Sequence, residues 1–170
     1  EDAGASVRIK RVVEAASSDA IASNESWKAH VNQVKDEPVA ELGDLEWAHG
    51  VIFGTPTRYG GVSAQLKAFI DSTGPLWMQG KLANKVYAGF TSAQNTHGGQ
   101  ESTLLALYTA FYHFGGIIAS PGYTDPLVFA SGGNPYGPSV TSAQGITDAD
   151  RDHAAYLGRR VAEVAGKLAG

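Results

Sequence analysis

The amino-acid sequence predicts an open α/β fold, a parallel sheet with helices on both faces. Three observations predict it. Short apolar runs recur at Val51-Ile52-Phe53-Gly54, at Val86 to Thr91 and at Ile117-Ile118-Ala119, as expected of strands buried on both faces. The first two runs are each followed by a polar, glycine-bearing loop and then by a helical pattern, the alternation that builds parallel sheets. Glycine is in excess, at 21 of 170 residues, about 12% against a usual level near 7%.

Taken in order, Val7, Ile9 and Val12-Val13 alternate with Arg8, Lys10 and Arg11 and predict a strand with one wetter face. From Ser17 to Glu46 the pattern is weak, with Trp27, Val31 and Val34 at helical spacing and Pro38 as a stop. After the strand at 51–54 comes the loop Thr55-Pro56-Thr57-Arg58-Tyr59-Gly60-Gly61. Ser63 then caps a helix to about Ser72, with Leu66, Phe69 and Ile70 on its apolar face. The strand at 86–91 leads into Ser92-Ala93-Gln94-Asn95-Thr96-His97-Gly98-Gly99. A helix follows, whose broad apolar face holds Leu104, Leu105, Leu107, Tyr108, Phe111 and Tyr112 and which Gly115 ends. Ser120 to Thr147 carries four Pro and five Gly and no helical period; a stretch this long is expected to be functional, interfacial or partly stranded. Thr147 and Asp150 form a capping box before a last helix with Leu157, Val161, Val164 and Leu168 as its stripe. No internal repeat is visible, and residues 1–170 read as a single domain.

Composition narrows the function. Thirteen basic against seventeen acidic residues give a net charge of −4, without the basic footprint of a nucleic-acid binder. No apolar run approaches the roughly 20 residues needed to span a bilayer. The absence of Cys excludes thiol catalysis and disulfide scaffolds and fits a cytoplasmic protein. His30, His49, His97, His113 and His153 include no His-x-x-x-His pair, so no metal site is expected. Gly61-Val62-Ser63-Ala64-Gln65 misses the serine hydrolase elbow at its last position. Open parallel sheets bind ligands at the carboxyl ends of their strands, and both glycine-rich loops fall at that edge.

Five segments then occur in register: Gly54-Thr55-Pro56-Thr57-Arg58-Tyr59-Gly60, Gly74-Pro75-Leu76-Trp77, Gly98-Gly99-Gln100-Glu101, His113, and Gly133-Asn134-Pro135-Tyr136-Gly137. From about Val7 onward the sequence resembles the WrbA family of flavodoxin-like NAD(P)H:quinone oxidoreductases. The resemblance implies a three-layer flavodoxin-like sandwich with a parallel sheet of order 2-1-3-4-5 that carries FMN. It implies cofactor contacts from Pro56, Thr57, Arg58, Tyr59 and Gly60 along one flavin edge, and from Ser92, Ala93, Gln94, Asn95, Gly98 and Gly99 along the other. It also implies that Trp77 and His113 border a pocket shared in turn by nicotinamide (NADH or NADPH) and quinone, with His113 as the catalytic donor. A homotetramer is implied, with Trp77, Tyr123 and Tyr136 as interface anchors.

The family opens on a strand and a phosphate-binding loop that nothing before Val7 resembles. The reading therefore expects the 170 residues to lack one strand-loop-helix unit, about 30 residues by the usual size of such a unit. Two other readings stay open on the residues alone. One is a non-catalytic flavodoxin-type electron carrier; the other is a flavin-free oligomeric binder.

Overall fold

The computed structural model describes residues 3–170. Three short helices, α1 (Ser18–Ala22), α2 (Glu25–Gln33) and α3 (Leu42–Trp47), precede strand β1 (Gly50–Pro56). Helices α4 (Ala64–Ser72) and α5 (Gly74–Met78) lead to β2 (Val86–Ala93), α6 (Gln100–Phe114) and β3 (Ile117–Ile118). Helix α7 (Pro126–Ala130), β4 (Ser139–Thr141) and the long α8 (Asp148–Leu168) complete the chain.

The caps read from sequence form. Ser63 accepts a hydrogen bond from the Leu66 amide, Gly115 ends α6 at φ +72°, and Thr147 and Asp150 cap α8 reciprocally. These devices satisfy helix-end groups that would otherwise go unpaired.

The sheet is parallel, with β2 at its centre. β1 pairs with β2 from Gly50–Val86 to Pro56–Ser92. On the other edge of β2, β3 pairs with its start and β4 with its end. Side chains alternate across this strand. Tyr87 joins Phe53, Leu104, Leu107, Phe111 and Phe114 in the larger core on the α6 side, while Val86 and Ala88 pack with Leu157, Val161 and Ala165 of α8. Helices thus cover both faces. Burial pushes the phenols of Tyr87 and Tyr108 up to about 12, so both stay neutral hydrogen-bond donors; Tyr87 donates to the Leu82 carbonyl and Tyr108 to that of Tyr136.

The structure corrects several expectations. Residues 7–13 form no strand. Their only ladder contact among the described residues is a parallel bridge from Arg11 to Val39; between them and β1 opens a cleft, about 2620 Å³ in all, that runs on to the loops after β1 and β2. The proline- and glycine-rich stretch is partly stranded as expected, at β4, but it also holds α7, a turn of helix too short to show a period, started by Asp125 and Pro126. Leu168 is exposed, and the inward stripe of α8 is His153, Leu157, Val161 and Ala165. Among the described residues no helix is long and apolar enough to cross a membrane, and no group of three His, Cys, Asp or Glu side chains could hold a metal.

His153 is 1% exposed. Its Nδ1 lies 2.7 Å from Ser131 Oγ, and its Nε2 has no partner among the described residues. Burial lowers its pKa below the usual value, against the opposing pull of the Asp150 and Asp125 charges. A lowered folded-state pKa stabilises the fold above the unfolded value of about 6.5 and is lost as pH falls below it. Urea midpoints are therefore expected to fall between pH 7 and pH 5 more steeply in the wild type than in His153→Gln, which has no imidazole to charge.

Candidate active site

Because β1 and β2 run in the same direction, their carboxyl ends deliver both glycine-rich loops to one edge of the sheet. Past β1, Arg58 and Gly61 pair amide to carbonyl in both directions, each at 2.9 Å. The two residues between them, Tyr59 (φ +50°) and Gly60 (φ +76°), are both left-handed, the pattern of a type I′ turn. Left-handed backbone costs a tyrosine about 1–2 kcal/mol, yet this one is fully exposed, at 109% of its reference area. The turn closed by Arg58 and Gly61 holds it there, and its ring is left uncovered above the loop.

Past β2, the loop 94–99 closes on itself through Gly98 N–H to Asn95 O and Gln100 Nε2 to Asn95 O. Gly99, at φ +95°, is the cap of α6. The loops meet at glycine: a Cβ on Gly99 would stand 2.9 Å from Gly60 Cα, and a Cβ on Gly60 would stand 2.9 Å from Ser102 Oγ.

Pro56, Thr57, Arg58, Tyr59, Ser92, Ala93, Gln94, Asn95 and Gly98 line one cleft, so most of the residues expected at a flavin come together. Gly60 and Gly99 support them at the loop contact. Thr57 differs from the expectation in one respect. Its side chain is turned inward, buried against Thr91 and Thr103, so it offers a ligand only backbone. Phe90 is a contributor that the strand pattern hid. It pairs with Gly54 across the ladder and, 48% exposed, lays its ring over that glycine and into the same cleft.

These features fit FMN. Backbone without side chains lets a flat ring approach closely, Tyr59 and Phe90 offer aromatic faces, and the Tyr59 and Gly60 amides make no hydrogen bond among the described residues. The N-terminus of α6 and the Arg58 guanidinium put positive potential at this edge.

Trp77 and His113 are brought together elsewhere. The Trp77 indole donates to the His113 carbonyl at 2.9 Å, and both side chains are exposed. His113 lies in the last turn of α6. It stands thirteen positions along the helix from Gln100, roughly 20 Å at 1.5 Å per residue, so within one chain the pair stands at the opposite end of the sheet from the loops.

Comparison with known proteins identifies the family and the fold. The profile of the NADPH-dependent FMN reductase family matches residues 1–124. A protein of Deinococcus radiodurans named NAD(P)H dehydrogenase (quinone) is 48% identical over 169 residues, covering 99% of this chain and 84% of that one. A Methylocella silvestris protein of the same name is 41% identical, covering 99% and 86%. Among solved structures, the WrbA-like flavodoxin from Agrobacterium tumefaciens superposes with a TM-score of 0.64 at 32% identity, covering 77% of this chain and 76% of the other. Matches of this length and identity, on a flavodoxin-like parallel sheet, show that the chain belongs to the NADPH-dependent FMN reductase family and to its WrbA-like members.

Proposed function

We propose that this protein is an FMN-dependent NAD(P)H:quinone oxidoreductase that reduces quinones to hydroquinones by two electrons. The observation that carries the reading is the meeting of the two loops at Gly60 and Gly99 beneath a strained, fully exposed Tyr59. FMN, when bound, supplies reversible two-electron chemistry between a reduced nicotinamide and a quinone. The chain supplies binding and electrostatics. The turn 56–60 and the loop 92–99 hold the two edges of the ring, and the free amides, Arg58 and the α6 N-terminus favour the negative charge that reduction brings.

His113 holds a proton for the quinone oxygen and Trp77 stacks on the bound substrate. Because the pair lies roughly 20 Å from the loops of its own chain, it serves the pocket of a neighbouring copy; the number of copies, four, comes from the resemblance to the WrbA family. The name shared by the Deinococcus and Methylocella relatives supports both substrates. A cytoplasmic location fits the absence of Cys and the use of reduced nicotinamide. The part of the cleft between residues 7–13 and β1, away from the loops, is the place for one further strand and helix of the fold. β1 pairs only with β2 among the described residues, and apolar Val7, Ile9 and Ile52 line the gap.

A steady-state assay of the full-length protein with NADH, NADPH and benzoquinone tests the function. Turnover that requires FMN is expected, and His113→Ala is expected to lower kcat about 100-fold, within the range of a general acid–base contribution. Flavin-loaded protein that turns over with neither nicotinamide is an electron carrier instead.

A further inference from the structure

Beneath the two loops runs a row of buried hydroxyls that the binding surface does not use. Thr103 lies in the first turn of α6, Thr57 just past β1, and Thr91 on β2, and all three are buried. Thr103 Oγ1 is 3.2 Å from Thr57 Oγ1, which is 3.1 Å from Thr91 Oγ1. Thr91 in turn donates to the Thr55 carbonyl at 2.8 Å.

A hydroxyl has one proton and two lone pairs, which orders the row. Thr91 spends its proton on Thr55, so Thr57 donates to Thr91. The Thr103 proton is then shared unequally, chiefly with the Gly99 carbonyl at 2.8 Å and more weakly with Thr57 Oγ1 at 3.2 Å. The Gly61 carbonyl stands 3.4 Å from the same Oγ1. One side chain therefore touches the loop after β1 at Thr57 and Gly61 and the loop after β2 at Gly99. Such a row strengthens in a low-dielectric interior, and β-branching restricts the rotamers of its members.

We infer that Thr103, backed by Thr91, is a positioning residue that locks the 57–61 turn and the 98–102 segment into one rigid cradle. The inference rests on the proposed function in taking FMN as the ring held; the coupling of the loops does not.

Thr103→Val keeps the shape of the side chain and removes the hydroxyl. In the full-length protein it is expected to raise the FMN dissociation constant about tenfold. In the flavin-free protein it is expected to speed hydrogen exchange at the amides of 58–61 and 98–102 together, with exchange in central β2 unchanged. Thr103→Ser restores both, because the hydroxyl returns. Thr109→Val removes a hydroxyl bonded to the Leu105 carbonyl on the exposed face of the same helix and leaves both at wild-type values. If Thr103→Val does not fold, Thr91→Val breaks the row from its other end and gives the same paired change. Unchanged exchange at 58–61, or no rescue by serine, overturns the inference. A wild-type protein that binds no FMN overturns the flavin reading, and the exchange data then decide the coupling alone.

Discussion

Gly99→Ala is expected to leave the protein folded and to weaken FMN binding at least 100-fold. At φ +95° the residue already occupies backbone that side chains rarely adopt, and the added methyl would stand 2.9 Å from Gly60 Cα and 3.3 Å from Gly60 N. Neither neighbour is the mobile end of a side chain. The turn carrying Tyr59 must therefore move away from the cap of α6, and the two edges of the cradle separate. The cost to folding is about 1–2 kcal/mol from the left-handed position, while a 100-fold loss of affinity corresponds to about 2.8 kcal/mol. Flavin titration beside a urea melt reads both. Unchanged FMN affinity with the urea midpoint lowered would mean that the glycine contact is structural only.

Phe111→Ala carries the largest expected effect on stability. The ring is fully buried and stands at the centre of an aromatic cluster, 4.8 Å from Tyr87, 5.2 Å from Phe53, 5.9 Å from Tyr108 and 6.1 Å from Phe114 between ring centres. Removing a buried Phe side chain costs about 3–5 kcal/mol, the higher figure where the surroundings cannot collapse. Here they cannot. Tyr87 is fixed by its bond to Leu82 and Tyr108 by its bond to Tyr136. At this size each kcal/mol is worth roughly 2–4 °C, so a fall of about 6–20 °C in melting temperature is expected. A fall under about 3 °C would show that the core repacks.

The elements that position the site were legible because they are long or strongly patterned. β1, β2, α6 and α8 follow from buried runs, apolar periods and caps whose residues are local in sequence. The helices α5 and α7 are single turns, which no period can announce. The segment 7–13 has the alternation of a strand, but alternation states only which side chains share a face. Pairing needs a neighbour, and here a cleft lies where one would be.

At the site, the motifs located the loops while side-chain direction stayed hidden. Thr57 turns inward because β2 and α6 present hydroxyls to it from positions 34 and 46 residues further on, a relation no local pattern contains. Phe90 was concealed inside a buried run; only its register opposite Gly54 exposes it. The separation of His113 from the loops was available from the start, in the number of residues between Gln100 and His113 on one helix.

Whether this cradle holds FMN and passes two electrons through it is decided by anaerobic stopped-flow mixing of the full-length, FMN-loaded protein. One equivalent of NADH or NADPH is expected to bleach the visible flavin band completely, and one equivalent of benzoquinone to restore it. Protein that takes up no flavin, or whose flavin neither nicotinamide bleaches, would contradict the account.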